Sequence, residues 1–449
     1  MRTKLIPVIE VDQEKCVNCH ACITVCPVKF CNDGSKNHVS VNSDMCIACG
    51  SCIDACTHDA RKYLDDTDVF FRDLEQGVPM VAVVAPSAAA NFRDQYLRLN
   101  GFLKKIGIKA VFDVSFGAEL TIKSYLEYAG KHHPDTIISQ PCPAIVTYIE
   151  LYQPELIPYL APADSPVMHT IKMVREFYKD YRDHKFVFIA PCAAKRREFE
   201  ELMLGDYTIT MKYLNEYLTR NKITLADFPE VEFDNPPAER AVLFSTPGGL
   251  LRTAVRDNPD LINRTRKIEG PTIVYEYLKK LPMMIEKGFA PFLIDCLNCE
   301  MGCNGGPGTL NRHESPDLIE HYVEKRNKEV QAKYGTGSPV QRWQGKRRLH
   351  RVLDQYYDEK LYRRNYVNHH DNNTISHPGP QEFDTIYRKM NKFSDTDHYN
   401  CSSCGYGSCE QMAVAIYNGL NKPENCHYFT RSLILNTAET ITGTVTDLA

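Results

Sequence analysis

Nine of the eighteen cysteines fall in the first 56 residues, at positions 16, 19, 22, 26, 31, 46, 49, 52 and 56. The others stand at 142 and 192, at 296, 299 and 303, and at 401, 404, 409 and 426. Intervals of two and three residues are too short for an ordinary disulfide framework and suit thiolates wrapped round a metal cluster. A chain of this kind must fold so that short loops hold inorganic cores. Its 449 residues suggest three domains at about 150 residues each, every one large enough to bury a core.

Cys16, Cys19, Cys22, Cys26 and Pro27 spell C-x2-C-x2-C-x3-C-P, and Cys46, Cys49, Cys52 and Cys56 repeat it thirty residues on, with Thr57 in place of the second proline. This is the pattern of a two-cluster bacterial ferredoxin, in which three close cysteines hold one cubane and the fourth reaches across to the other. The first 4Fe-4S cluster would sit on Cys16, Cys19, Cys22 and Cys56, the second on Cys46, Cys49, Cys52 and Cys26. A pair of zinc sites is the rival, but three thiolates in one short loop suit a cubane better than a tetrahedral ion. Such clusters run at low potential, which points to an electron relay. Cys31 lies outside the repeat and reads as a bystander thiol.

From Val78 to about Gly345 short apolar runs alternate with amphipathic stretches, the signature of an α/β domain on a mainly parallel sheet. Strands are expected at Met80 to Val84, Ala110 to Asp113, Thr136 to Ser139, Phe186 to Ile189, Ala241 to Phe244 and Pro291 to Ile294. Helices are expected at Asn91 to Ile106, Leu120 to Ala129 and Ala144 to Leu151. Ligands of such sheets bind beyond the carboxyl ends of the strands, where Cys142, Cys192 and the Cys296 to Cys303 loop would converge.

Three segments here resemble the signatures of the iron-only (FeFe) hydrogenases. They are Ser139-Gln140-Pro141-Cys142-Pro143, Ala190-Pro191-Cys192-Ala193-Ala194-Lys195-Arg196-Arg197-Glu198, and Cys299-Glu300-Met301-Gly302-Cys303 followed by Asn304-Gly305-Gly306. Ala85-Pro86-Ser87 and Phe112-Asp113-Val114-Ser115-Phe116-Gly117-Ala118 agree with it, and the likeness covers most of residues 10 to 370. The resemblance implies an H-cluster: a cubane on Cys142, Cys192, Cys299 and Cys303, the last thiolate bridging to a diiron subsite with carbon monoxide, cyanide and a dithiolate. It also implies that Lys195 bonds one cyanide, that Glu198 anchors Lys195, and that Ala85, Pro86, Ser87 and Pro191 help to cradle the cofactor.

The sequence departs from the active members of that family at the proton route. Their second cysteine, immediately before the first cubane ligand, is Pro141 here, with neither a titratable group nor a backbone N–H. The glutamate, serine and glutamate that continue the route align with Tyr125, Ala161 and Tyr128. Two methionines near the diiron unit become Ala190 and Leu297. A general acid or base contributes typically about 10²–10⁴ in rate, so loss of the relay implies slow turnover and a sensory type of enzyme. Tyr125, Tyr128 or ordered water are the candidates for a substitute route, with tyrosines simply packed in a helix as the rival, and Glu127 reads as a surface carboxylate.

At the other end, Cys401, Cys404, Cys409 and Cys426 form C-x2-C-G-x3-C-x16-C, with Gln411 to Leu420 reading as a helix. This segment resembles the small 4Fe-4S domain of sensory FeFe hydrogenases; a zinc ribbon is the rival. Sixteen of the eighteen cysteines are then ligands, leaving Cys31 and Cys296 spare. No PAS domain is expected, so any output would pass to a separate protein.

The expected layout is a ferredoxin-like domain over 1–66, an H-cluster domain over 67–370 and a C-terminal 4Fe-4S domain over 371–449. Molecular hydrogen, protons and a low-potential electron carrier are the expected partners, with hydrogenase maturation proteins, a signalling kinase or phosphatase, and a second copy of the chain as further ones. Lys and Arg number 53 against 57 Asp and Glu, a net charge of -4 that offers no basic field for nucleic acid. The start has no long apolar run, and Pro79 and Pro86 break the stretch from Val78 to Ala90, so the expectation is a cytoplasmic protein away from membranes. A hydrogenase-like iron-sulfur assembly factor and a plain electron-transfer protein, neither with a diiron unit, are the rival readings. The run Lys346-Arg347-Arg348 and the pairs His132-His133 and His369-His370 read as solvated loops and faces.

Overall fold

A computed structural model describes residues 4–335 and 337–434. The chain forms two compact units: one holds the residues up to Cys46, Gly50–Tyr63 and the segment from Asp371 onward, the other Ile47–Cys49 and Leu64–His370.

In the first unit Ile9–Val11 pairs antiparallel with Arg61–Tyr63, and Asn32–Asp33 with Ser40–Val41. The thirty-residue repeat is written in the backbone: the one-turn helices Ala21–Thr24 and Ser51–Asp54 each start from a left-handed residue, His20 at φ 63° and Gly50 at φ 83°. The C-terminal part contributes the helices Pro380–Lys389 and Cys409–Tyr417. Ser408 caps the second by accepting the Gln411 N–H, so the helix starts at the third cysteine rather than after it. Cys22, Ile23, Val39, Ile386, Met390, Cys404, Tyr406, Met412 and Cys426 share one core.

The second unit is α/β with two parallel sheets. The larger runs in the order Val111–Asp113, Met80–Val84, Lys185–Ala190, Tyr207–Thr210; the smaller in the order Thr265–Glu269, Leu293–Leu297, Ile137–Ile138. Met80–Val84 is buried throughout, as a central parallel strand covered on both faces must be. Val114–His132, Pro143–Tyr152, Pro166–Phe177 and Lys195–Leu202 are helices whose first residues line the central cavity. Asp113 caps the first of them by accepting the Ser115 N–H at 2.8 Å, and Pro143 opens the second at the position where a missing N–H costs nothing.

Three expectations need correction. Ala241 to Phe244 is not a strand but the start of a 3-10 turn, Ala241–Ser245, because the buried Glu119 carboxylate accepts the N–H groups of Glu239, Arg240 and Ala241 at 2.9–3.1 Å. The helix expected over Asn91 to Ile106 is broken into Ala88–Asn91 and Tyr96–Lys105, with Arg93 at φ 46° between them. His369 is buried, and Lys346 donates to the Arg256 carbonyl at 2.9 Å from within the helix Pro339–Tyr356, so neither is simply solvated. No helix of the described residues is long and apolar enough to cross a membrane.

Candidate metal centres

Cys142, Cys192, Cys299 and Cys303 each lie beyond the carboxyl end of a parallel strand. Cys142 follows Ile137–Ile138, Cys192 follows Lys185–Ala190, and the Cys299 to Cys303 loop follows Leu293–Leu297. All four line one cavity, almost wholly apolar, together with Ala85, Pro86, Ser87, Pro141, Pro191 and Lys195. Leu297 also lines it, and so do Ala48 and Cys49, which belong to this unit. Tyr125 and Glu198 stand outside the lining. Ala190, Ala161 and Cys296 are buried in the surrounding core.

The loop after Leu293–Leu297 is shaped for close approach. Gly302 adopts φ 59°, and a Cβ there would fall 2.3 Å from the Ser245 carbonyl oxygen; a Cβ on Gly306 would sit 3.6 Å from Cys299 Sγ. Burial pushes the Cys192 thiol up to about 11, with the neighbouring Cys142 adding to it, and raises Cys299 and Cys303 in the same direction. Buried thiols that raise one another in this way exist together as thiolates only against a compensating cation. The donor set therefore fits a metal cluster.

Among the described residues Lys195 is the one cationic side chain in the lining. It is the first residue of the helix Lys195–Leu202, and its Nζ donates to Glu198 Oε2 at 2.5 Å, one turn on. Glu198 also accepts from Ser165 Oγ at 2.8 Å and from Arg364 Nη1 at 2.7 Å. Burial pushes the Glu198 carboxyl up, but the Lys195 ammonium and the Arg364 guanidinium outweigh it and hold the group below the usual carboxylate range. Glu198 thus stays anionic and fixes an ammonium at the cavity wall.

Ser165 and Arg364 were not singled out from sequence, and neither was Arg326. The buried Arg326 donates to the Pro86 carbonyl at 3.1 Å and to Asp113 Oδ2 at 2.6 Å, which sets the Ala85-Pro86-Ser87 turn. Asn91 holds the same turn by donating to the Ser87 carbonyl at 2.9 Å. Behind the four central cysteines of the cavity, Tyr275 OH donates to Asn298 Oδ1 at 2.7 Å, and Asn298 Nδ2 lies 3.4 Å from Cys299 Sγ. Such outer contacts orient ligands and tune a metal.

Pro141 offers no donor at the wall. Tyr125 OH donates to Gln140 Oε1 at 2.9 Å and accepts the Gln140 N–H at 3.2 Å, while burial drives its pKa far above the ordinary value. It is a packed structural phenol. Tyr128 packs beside His132, with ring centroids 4.9 Å apart, and Glu127 pairs with Lys131 at 3.5 Å on the surface.

In the first unit the buried Arg61 guanidinium lies near Cys22 and Cys52, one cysteine from each predicted set, and neither Nη pairs with a carboxylate among the described residues. A buried cation of this kind needs anions, and cysteine thiolates or the sulfides of clusters they hold are those within reach. Cys31 is closer to the second set than a bystander would be, its Sγ 3.8 Å from Cys26 Sγ. Cys401, Cys404, Cys409 and Cys426 line a cavity of their own with Lys392 and Tyr428.

Comparison with known proteins agrees with this layout. Residues 78–307 match the family "Iron only hydrogenase large subunit, C-terminal domain", residues 8–57 the family "4Fe-4S dicluster domain", and residues 397–428 a family named FeS. The chain is 25% identical to Iron hydrogenase 1 of Clostridium pasteurianum over 386 residues, 70% of this chain and 66% of that one, just under two thirds of the relative's length. It is 22% identical to the cytosolic iron-sulfur assembly component 3 of Pongo abelii over 333 residues, 59% of this chain and 69% of that protein. A solved FeFe hydrogenase HydA1 of Chlamydomonas reinhardtii shares the fold, with a TM-score of 0.50 and 21% identity over 68% of this chain and all of that one. With an N-terminal dicluster module, a matched α/β core and a C-terminal cysteine module, the chain belongs to the family of the iron-only hydrogenase large subunit, C-terminal domain.

Proposed function

We propose that the chain binds molecular hydrogen at an H-cluster in the central cavity and oxidises it slowly and reversibly, as a sensory-type iron-only hydrogenase. The observation that carries this reading is the meeting of four cysteines, an ion-paired Lys195 and the Pro86-Ser87 turn on one apolar cavity. Cys142, Cys192, Cys299 and Cys303 would hold the cubane, and the diiron subsite, when bound, would supply the centre at which hydrogen is split. Lys195, held by Glu198 through one N–H, has two donors left for anionic ligands of that subsite. Ser87 and the turn fixed by Arg326 form the opposite cradle. The apolar wall keeps water from the reacting atoms. Pro141 gives and takes no proton, and the Tyr125 hydroxyl is engaged by Gln140, so proton transfer limits turnover. Electrons would leave by the cysteine clusters to a low-potential carrier, with a kinase or phosphatase as the receiver of the signal and dedicated maturation proteins as the source of the diiron unit.

Likeness to an iron-sulfur assembly component supports a second reading, a cluster-bearing assembly protein without the diiron unit. Infrared spectroscopy of the anaerobically matured protein separates the two. Bands of iron-bound carbon monoxide and cyanide that shift reversibly under hydrogen are expected; no such bands in protein with its cubanes filled would overturn the first reading in favour of the second.

A further inference from the structure

The C-terminal cysteine module and the N-terminal repeat share one core, and the contact between them is built from the residues that flank their cysteines. Ile23, next to Cys22, faces Gly405, next to Cys404: a Cβ at Gly405 would fall 2.8 Å from Ile23 Cβ and 3.1 Å from the His20 carbonyl oxygen, and the residue sits at φ 90°. Only glycine admits that approach. Lys29 ties the two loops, its Nζ donating to the Ile23 carbonyl at 3.0 Å, the Thr24 carbonyl at 2.6 Å and the Gly405 carbonyl at 3.1 Å. Phe30 stacks on Tyr406 with centroids 5.9 Å apart. Asn425, next to Cys426, donates to the Gly34 carbonyl at 3.0 Å. Cys16, Cys22, Cys404 and Cys426 all take part in the same hydrophobic cluster.

We propose that the C-terminal site holds an iron-sulfur cluster that exchanges single electrons with the N-terminal cluster on Cys16, Cys19, Cys22 and Cys56 across the Ile23, Lys29 and Gly405 contact, making it a terminus of the electron path inside the first unit. The step is a balanced transfer: the reduced N-terminal cluster gives up one electron and becomes oxidised, the C-terminal cluster takes it and becomes reduced, and no proton moves. Lys29 is a positioning residue that joins the Ile23 and Gly405 carbonyls, and its ammonium lies near Cys404 of the C-terminal set and Cys26 of the N-terminal repeat. The inference rests on iron-sulfur occupancy of the two modules and not on the diiron unit, so it stands or falls apart from the hydrogen reading.

The test uses the full chain made without diiron maturation, reduced with dithionite and measured by low-temperature electron paramagnetic resonance. In the native chain the N-terminal signal is expected to be broadened and hard to saturate beyond what coupling between the two N-terminal clusters produces, through a further nearby spin at the C-terminal site. In the double variant Cys404→Ser, Cys426→Ser the iron content should fall by one cubane, the lines sharpen, and the power needed for saturation drop severalfold. Lys29→Met, which keeps every ligand, should move the midpoint potential of the C-terminal cluster to more negative values. Superposable N-terminal signals with and without the C-terminal cluster, a Lys29→Met chain with that potential unmoved, or zinc in place of iron at Cys401 to Cys426 would each overturn the proposal.

Discussion

Glu198→Gln tests the electrostatic logic of the cavity wall. The side chain is 2% exposed and its partners Lys195 and Arg364 are 10% and 3% exposed, so all three charges are out of water. The amide keeps the shape and can still accept from Ser165, but it leaves two cations facing one another's former counter-ion. Arg364 retains Glu201, at 2.7 Å, whereas Lys195 loses the one carboxylate it meets. Removing one partner of a buried pair costs about 3–5 kcal/mol. At about 2–4 °C per kcal/mol for a domain of some 150–250 residues, and less for a longer one, Tm should fall by about 5–15 °C. Glu201→Gln is the control: its side chain is 25% exposed with Arg364 as its hydrogen-bonded cation, and the change should cost under about 1–2 kcal/mol. Thermal unfolding followed by circular dichroism, anaerobically and at one scan rate, reads both. The Glu198 carboxyl is held below its ordinary value, so its contribution is present above the unfolded carboxylate range and disappears as pH falls through the folded value; native and variant curves should converge below about pH 4. A Glu198→Gln chain no less stable than Glu201→Gln at pH 7 would refute the account of the wall as a desolvated ion pair.

Gly302→Ala places a methyl group against the Ser245 carbonyl in a left-handed conformation and should destabilise the loop by about 2–5 kcal/mol, with loss of one cubane of iron measured by iron analysis. Burial, reinforced by Glu201, pushes the Glu150 carboxyl up to about 8 despite the Val367 N–H and two arginines. A raised folded value means stability is greatest below the unfolded value and is lost as pH rises through about 8, so Glu150→Gln should be near neutral at pH 5 and raise Tm at pH 9. If the chain is the hydrogenase proposed above, Pro141→Cys should quicken hydrogen oxidation by about 10²-fold, the low end of what one acid–base group supplies, with the Tyr125 hydroxyl still engaged by Gln140; an unchanged rate, measured by gas-phase hydrogen uptake, would refute a proton-limited enzyme.

The parts of the site that follow parallel strands were legible because topology alone brings strand ends together: Cys142, Cys192 and the Cys299 to Cys303 loop meet as the α/β pattern requires. Where a segment's conformation is set from afar, the local pattern misleads. The apolar run Ala241 to Phe244 reads as a strand until Glu119, some 120 residues earlier, takes three of its neighbouring N–H groups. Thr265–Glu269 escaped notice for the opposite reason, since an edge strand of Thr, Arg, Lys, Ile and Glu carries no apolar run to announce it. Arg364 reaches Glu198 across 166 residues, and Arg326 reaches Pro86 across 240; nothing in the local sequence of either arginine advertises the contact. The C-terminal helix starts two residues before the expected Gln411 because Ser408 caps it at the cysteine itself.

The mixed composition of the first unit carries a consequence for synthesis. Lys29 finds its Gly405 carbonyl 376 residues downstream, and Gly34 accepts from Asn425 at a separation of 391. At ribosomal rates of about 5–20 residues per second, the N-terminal repeat emerges roughly 20–80 seconds before the segment that completes its core. During that interval Ile23 and Cys22 lack the partners that bury them in the finished unit, and the thiols of the repeat face oxidants and stray metal ions with only half a shelter. Prompt loading of the nascent repeat with iron and sulfide would then act as a folding chaperone for the amino-terminal half, holding its loops in shape until Gly405 arrives.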